Sequence, residues 1–175
     1  MTESRTDPDF LYVGTYTDGT RSEGIYFVRM DRTSGELQSI GAANAGANPS
    51  FLTIHPTGRV LYAVNERDNG AVGAFTIEKG IAALTPLNAQ PSEGGAPCYV
   101  SVDRSGRAAL VANYAGGSVA LLPIETNGTL GRPHVVQHAG TGPNAERQAA
   151  PHAHCILPDP TNRFALAADL GADRV

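Results

Sequence analysis

The chain has 175 residues, of which 17 are acidic and 13 basic, for a formal net charge of −4. No basic run stands out, which argues against a nucleic-acid or anionic-membrane partner. No apolar stretch approaches the roughly 20 residues needed to span a bilayer.

Met1 to Asp9 is polar and lacks the apolar core of a signal peptide. Cys98 and Cys155 lie far apart and form no CxxC pair. Together these lead us to expect a reduced, cytoplasmic protein. The first strand signal is Phe10-Leu11-Tyr12-Val13-Gly14-Thr15-Tyr16, followed by Gly24 to Met30, a turn at Gly35 and Leu37 to Ile40. From Asn48 a fuller unit begins. It reads as strand Phe51 to Ile54, turn His55-Pro56-Thr57-Gly58 and strand Val60 to Val64. Strand Ala71 to Ile77, a turn at Gly80 and strand Leu84 to Leu87 complete it. The Gly and Pro residues supply the turn chemistry. The nearly continuous apolar run of the second strand implies burial on both faces.

The unit returns from Ala96. Its strands are Tyr99 to Val102, Ala108 to Ala112, Ser118 to Ile124 and Pro133 to Gln137. It returns again, more loosely, from Pro151 through Phe164 to Ala168, after an insertion at 140–149. Asp169 to Val175 repeats Asn113 to Val119, so Val175 falls where a third strand should start. Strand signals recurring every 40–50 residues or so define β-propeller blades. We therefore expect an all-β propeller of four-stranded antiparallel blades, about three of them here plus the start of a fourth. Residues 1–175 are then a partial domain, cut on its C-terminal side. Its open edges should make the piece poorly soluble alone.

In such blades the lead-in to strand one and the exit from strand two share a face. That geometry gathers Tyr16, Asn65, Glu66, Asn113, Tyr114, His152, His154 and Asp169 around one mouth of the channel. Asn and Asp there could equally hold loop backbone. Glu66 has no such turn role. His152 and His154 stand where the preceding units carry Ser50 with Leu52, and Cys98 with Val100. Two residues apart on an extended segment, they point the same way. A histidine there can move a proton, bind a metal with Asp169, Glu66 or His138, or pack within the blade. His55 reads as structural, and His134 and His138 as outer-strand residues. Arg147, in the insertion, either grips an anion through its planar fork or is solvated.

Taken together, these strings resemble the seven-bladed propeller lactonases. They are Leu11 to Thr17, Asn48 to Leu52, Leu61 to Glu66, Val111 to Val119, Pro151-His152-Ala153-His154 and Asp169-Leu170-Gly171. That family includes the propeller-type 6-phosphogluconolactonases and is similar to the fungal carboxymuconate lactonizing enzymes. The resemblance implies a ring about twice this length, without cofactor or metal, acting as a monomer or dimer on a small lactone in carbohydrate metabolism. It implies hydrolysis of 6-phosphogluconolactone, with lactonization of a carboxymuconate or non-catalytic binding of a protein or sugar as alternatives. His152 matches the family's site histidine, and Glu66 is expected to orient it or share its role. Arg147, Asn113, Tyr114, His154, Asp169, Asn65 and Tyr16 are expected to bind substrate. This piece alone is expected to be inactive.

Overall fold

A computed structural model describes residues 9–78 and 83–175. The turn expected at Gly80 lies outside the described residues, as does all but the last residue of the polar N-terminal stretch. Among the described residues the regular structure is entirely β. Strands β1 (Asp9–Val13), β2 (Ile25–Met30) and β3 (Leu37–Ala43) form one antiparallel sheet. Strands β4 (Leu52–Ile54), β5 (Val60–Asn65), β6 (Ala71–Ile77) and β7 (Leu84–Pro91) form the next. A third holds β8 (Pro97–Val102), β9 (Ala108–Asn113), β10 (Ser118–Pro123) and β11 (His134–Gln137). Strands β12 (Ala153–Pro158) and β13 (Ala165–Asp169) pair as the last sheet. These are the expected blades, the first without its innermost strand and the fourth begun.

The blades stack through their second strands. In β5, Val60, Tyr62 and Val64 join one buried cluster with Val100, Val111 and Leu122 of the third blade. The alternate residues Leu61 and Ala63 join Ile25 of the first blade and Phe75 in a second cluster. β9 does the same, with Ala109 and Val111 facing back and Leu110 and Ala112 facing Ala153 and Ile156 of the fourth blade. Successive strand residues point to opposite faces. An uninterrupted apolar run therefore serves two interfaces at once, and each fully buried large side chain contributes roughly 1.5–3 kcal/mol. Tyr62, the bulkiest of them, is fully buried and donates its hydroxyl to the Gly128 carbonyl at 3.0 Å.

Turns on one face tie neighbouring blades. His55 Nε2 meets the Gly106 carbonyl at 3.0 Å, which gives it the expected structural role. Asn162 bridges the fourth blade to Asp103 of the third. The end sheets carry exposed apolar side chains, among them Phe10 and Val13 on β1 and Leu166 on β13. Arg174 bridges Asp169 as Ser118 bridges Asn113, in line with a third strand starting there.

Candidate functional site at the channel mouth

The backbone ladder corrects the register read from the repeats. Glu66 N donates to Asn48 O at 3.0 Å, Tyr114 N to Ala96 O at 2.9 Å and Leu170 N to His152 O at 3.0 Å. His152 therefore stands with Asn48 and Ala96. His154, and not His152, occupies the place of Ser50 and Cys98. In the third blade Cys98 is an extra residue between the pairs Pro97–Asn113 and Tyr99–Ala112. In the fourth, His154 is extra between Ala153–Asp169 and Cys155–Ala168. Such a bulge re-aims one side chain of a strand.

Both histidines converge on Tyr114, at the exit of β9. The His152 ring stacks on the Tyr114 ring with centroids 4.6 Å apart, and His154 meets it edge-on at 5.6 Å. His152 Nδ1 lies 3.0 Å from the Tyr114 carbonyl oxygen. A carbonyl can only accept, so Nδ1 carries a proton, and in the neutral imidazole Nε2 is then the acceptor. Arg147 comes from the insertion, whose fold is set by Asn144 and Gln148. Gln148 is buried and donates to Leu170 O at 2.8 Å. Arg147 thereby reaches Tyr114, donating to its hydroxyl at 3.4 Å. Beside them opens a solvent-facing recess of about 700 Å³, lined among others by Tyr114, Arg147, His154, Leu170 and Arg174. His152 is not in its wall but stacks against the tyrosine that is.

Asp169 lines the recess and also acts as a positioning group. Its side chain is 3% exposed. It accepts from His152 N and Ala172 N, both at 2.8 Å, and pairs with His138 Nδ1 at 2.6 Å. Burial alone would raise its carboxyl pKa, but the bonds from Ala172, His138 and His152 outweigh this and hold it below the usual range. The expected substrate roles of Asn113 and Asn65 are corrected. Asn113 is fully buried and donates to Ser118 Oγ and Ser92 O. Asn65 donates to Ala45 O and Ala47 O. These amides fix loop backbone, and Asn113 Oδ1 is the buried side-chain polar atom without a partner among the described residues.

Glu66 belongs to a separate group. Its Oε2 accepts from Tyr16 Oη at 2.8 Å and from Ser50 Oγ at 2.5 Å. The expectation that Glu66 orients His152 therefore fails: the His152 ring is held by Tyr114 and its main chain by Asp169. The bond to Glu66 raises the Tyr16 pKa, with burial adding to it. Cys98 lies between the two groups. Its Sγ is 3.7 Å from His154 O, and burial, aided by the Glu66 charge, pushes the thiol up to about 11. Cys98 and Cys155 are free thiols. Among the described residues no three His, Cys, Asp or Glu side chains are placed to hold a metal. Ser50 and Arg174 escaped the sequence reading as site residues, and His138 entered it only as a candidate metal ligand. For Ser50 the missing signal is its register with Cys98 and His154.

Four-stranded blades with a histidine–tyrosine–arginine group at one mouth define the architecture of a propeller with a polar channel site. The chain belongs to the seven-bladed β-propeller lactonase family, whose model matches residues 10–175. It is similar to the 6-phosphogluconolactonase of Bacillus subtilis, at 38% identity over 166 residues, covering 94% of this chain and 47% of that protein. A structure of a putative 6-phosphogluconolactonase from Bacteroides fragilis superposes with a TM-score of 0.90 at 38% identity, covering 99% of this chain and 48% of that one. The periplasmic gluconolactonase PpgL of Pseudomonas aeruginosa gives 0.85 at 32% identity, covering 94% and 48%. The chain thus spans about half the length of the relatives it matches.

Proposed function

We propose that the full-length protein hydrolyses a sugar lactone, 6-phosphogluconolactone, to 6-phosphogluconate. The blades described here would be the N-terminal half of its seven-bladed ring. The observation that supports this most is the His152 ring, held through Nδ1 by the Tyr114 carbonyl, a bond that does not engage Nε2. In this reading Nε2 takes a proton from water as the oxygen attacks the lactone carbonyl carbon. The tetrahedral intermediate then collapses, the ring C–O bond breaks, and the imidazolium returns the proton to the departing oxygen. Arg147 and the Tyr114 hydroxyl hold the phosphate. His154, exposed in the same recess, donates to the substrate.

Free cysteines fit a reducing, cytoplasmic setting, which cell fractionation tests. Among the described residues no helix is long and apolar enough to cross a membrane. A closed ring removes its own sheet edges, so a monomer or dimer suffices, as size-exclusion chromatography would report. The function is tested by offering the full-length protein 6-phosphogluconolactone and a carboxymuconate side by side. Hydrolysis of the first alone supports the proposal. Lactonization of the second alone, or turnover of neither, overturns it.

A further inference from the structure

We propose that Ser50, Glu66 and Tyr16 form a subsite that accepts the hydroxyl groups of a polyol, and so orients a sugar-derived ligand across the mouth. The donor and acceptor inventory carries this inference. Tyr16 gives its only side-chain proton to Glu66 Oε2, and so does Ser50. What remains on all three residues is acceptor capacity: the lone pairs of the two hydroxyl oxygens and Glu66 Oε1, which has no hydrogen-bond partner among the described residues. Three acceptors side by side, one of them ionised, suit hydroxyl donors and repel a phosphate or carboxylate.

The neighbouring rim carries the donors. Arg147, with only donors, reaches over Tyr114, and Arg174 lines the same recess, alongside the carboxylates of Asp169 and Asp173. The two rims meet at Cys98, whose thiol feels the Glu66 charge and touches the His154 carbonyl. A ligand with an anionic end and several hydroxyls therefore lies with the anion toward Arg147 and the hydroxyls toward Glu66. A polyanion without hydroxyls, such as a carboxymuconate, meets Glu66 as a like charge. The inference rests on the lactone reading for the identity of the ligand, but the acceptor rim is independent of any chemistry at His152.

Equilibrium binding separates the two claims. Isothermal titration calorimetry on the full-length protein would compare gluconate with hexanoate, which has the same carbon count and carboxylate but no hydroxyls. Gluconate should bind about tenfold more tightly or better, because hydrogen bonds to a charged acceptor are lost with hexanoate. Glu66→Ala should bring the ratio to within about twofold of unity. Tyr16→Phe, at a half-exposed ring, should lower it by about threefold without disturbing the fold. Equal affinities in the unaltered protein, no detectable gluconate binding, or a ratio unchanged in both variants would overturn the subsite. Gluconate preference in a protein that turns over no lactone would leave the subsite standing and remove the hydrolytic reading. Lactone hydrolysis without gluconate preference would do the reverse.

Discussion

Replacing Asp169 separates the geometry of the site from its charge. Both backbone N–H groups, those of His152 and Ala172, bind Oδ1, whereas His138 binds Oδ2. Asp169→Asn can keep its amide oxygen at the Oδ1 position, saving both backbone bonds. The His138 ring then accepts from the amide by changing tautomer. The cost should be about 1 kcal/mol, that of one charge-assisted bond made neutral. Asp169→Ala instead orphans two buried N–H groups at about 1–3 kcal/mol each, so about 4 kcal/mol is expected. Urea unfolding of the full-length protein at neutral pH measures both. A pH series supplies a second reading. The folded-state pKa of Asp169 is lowered. The unfolded chain thus binds the proton more readily. The stabilisation is fully present above the ordinary aspartate value, about 3.9, and is lost as pH falls through the folded-state value. Asp169→Asn should flatten that acid limb. Equal costs for Ala and Asn, or a cost for Ala under about 1 kcal/mol, would refute the reasoning.

Two further substitutions probe the surrounding frame. A Cβ added at Gly171 would lie 1.8 Å from Ala150 O and 2.8 Å from His152 N. Gly171→Ala should therefore cost about 1–3 kcal/mol by thermal melting and lower turnover about tenfold by shifting His152. Tyr62→Phe leaves the Gly128 carbonyl without its donor between the second and third blades. It should cost about 1–2 kcal/mol in a urea melt and leave KM unchanged.

The strands were legible because the chain repeats, and because β5 and β9 bury alternate residues in two different interfaces. Each position in those strands must be apolar, and the sequence displays that directly. The register of the fourth blade was not legible. Pro151 invites alignment with Pro49 and Pro97, yet the hydrogen bonds put His152 level with Asn48 and Ala96. Pro151 precedes the aligned position whereas Pro49 and Pro97 follow it, so His154 takes the place of Ser50 and His152 that of Asn48. Convergence of His152, His154 and Arg147 on Tyr114 follows from the blade geometry and was foreseeable. The contact between His138 and Asp169 joins residues 31 apart, and no local pattern announces such a pair. Asn65 and Asn113 were misread for a related reason: a polar side chain at a strand end looks the same whether it faces ligand or the backbone of the next loop.

Background-corrected lactone hydrolysis by full-length His152→Ala bears most directly on the account. General-base catalysis contributes about 10²–10⁴ in rate, so kcat should fall by that order while circular dichroism and the melting curve stay those of the unaltered protein. Undiminished kcat in a folded variant would contradict it.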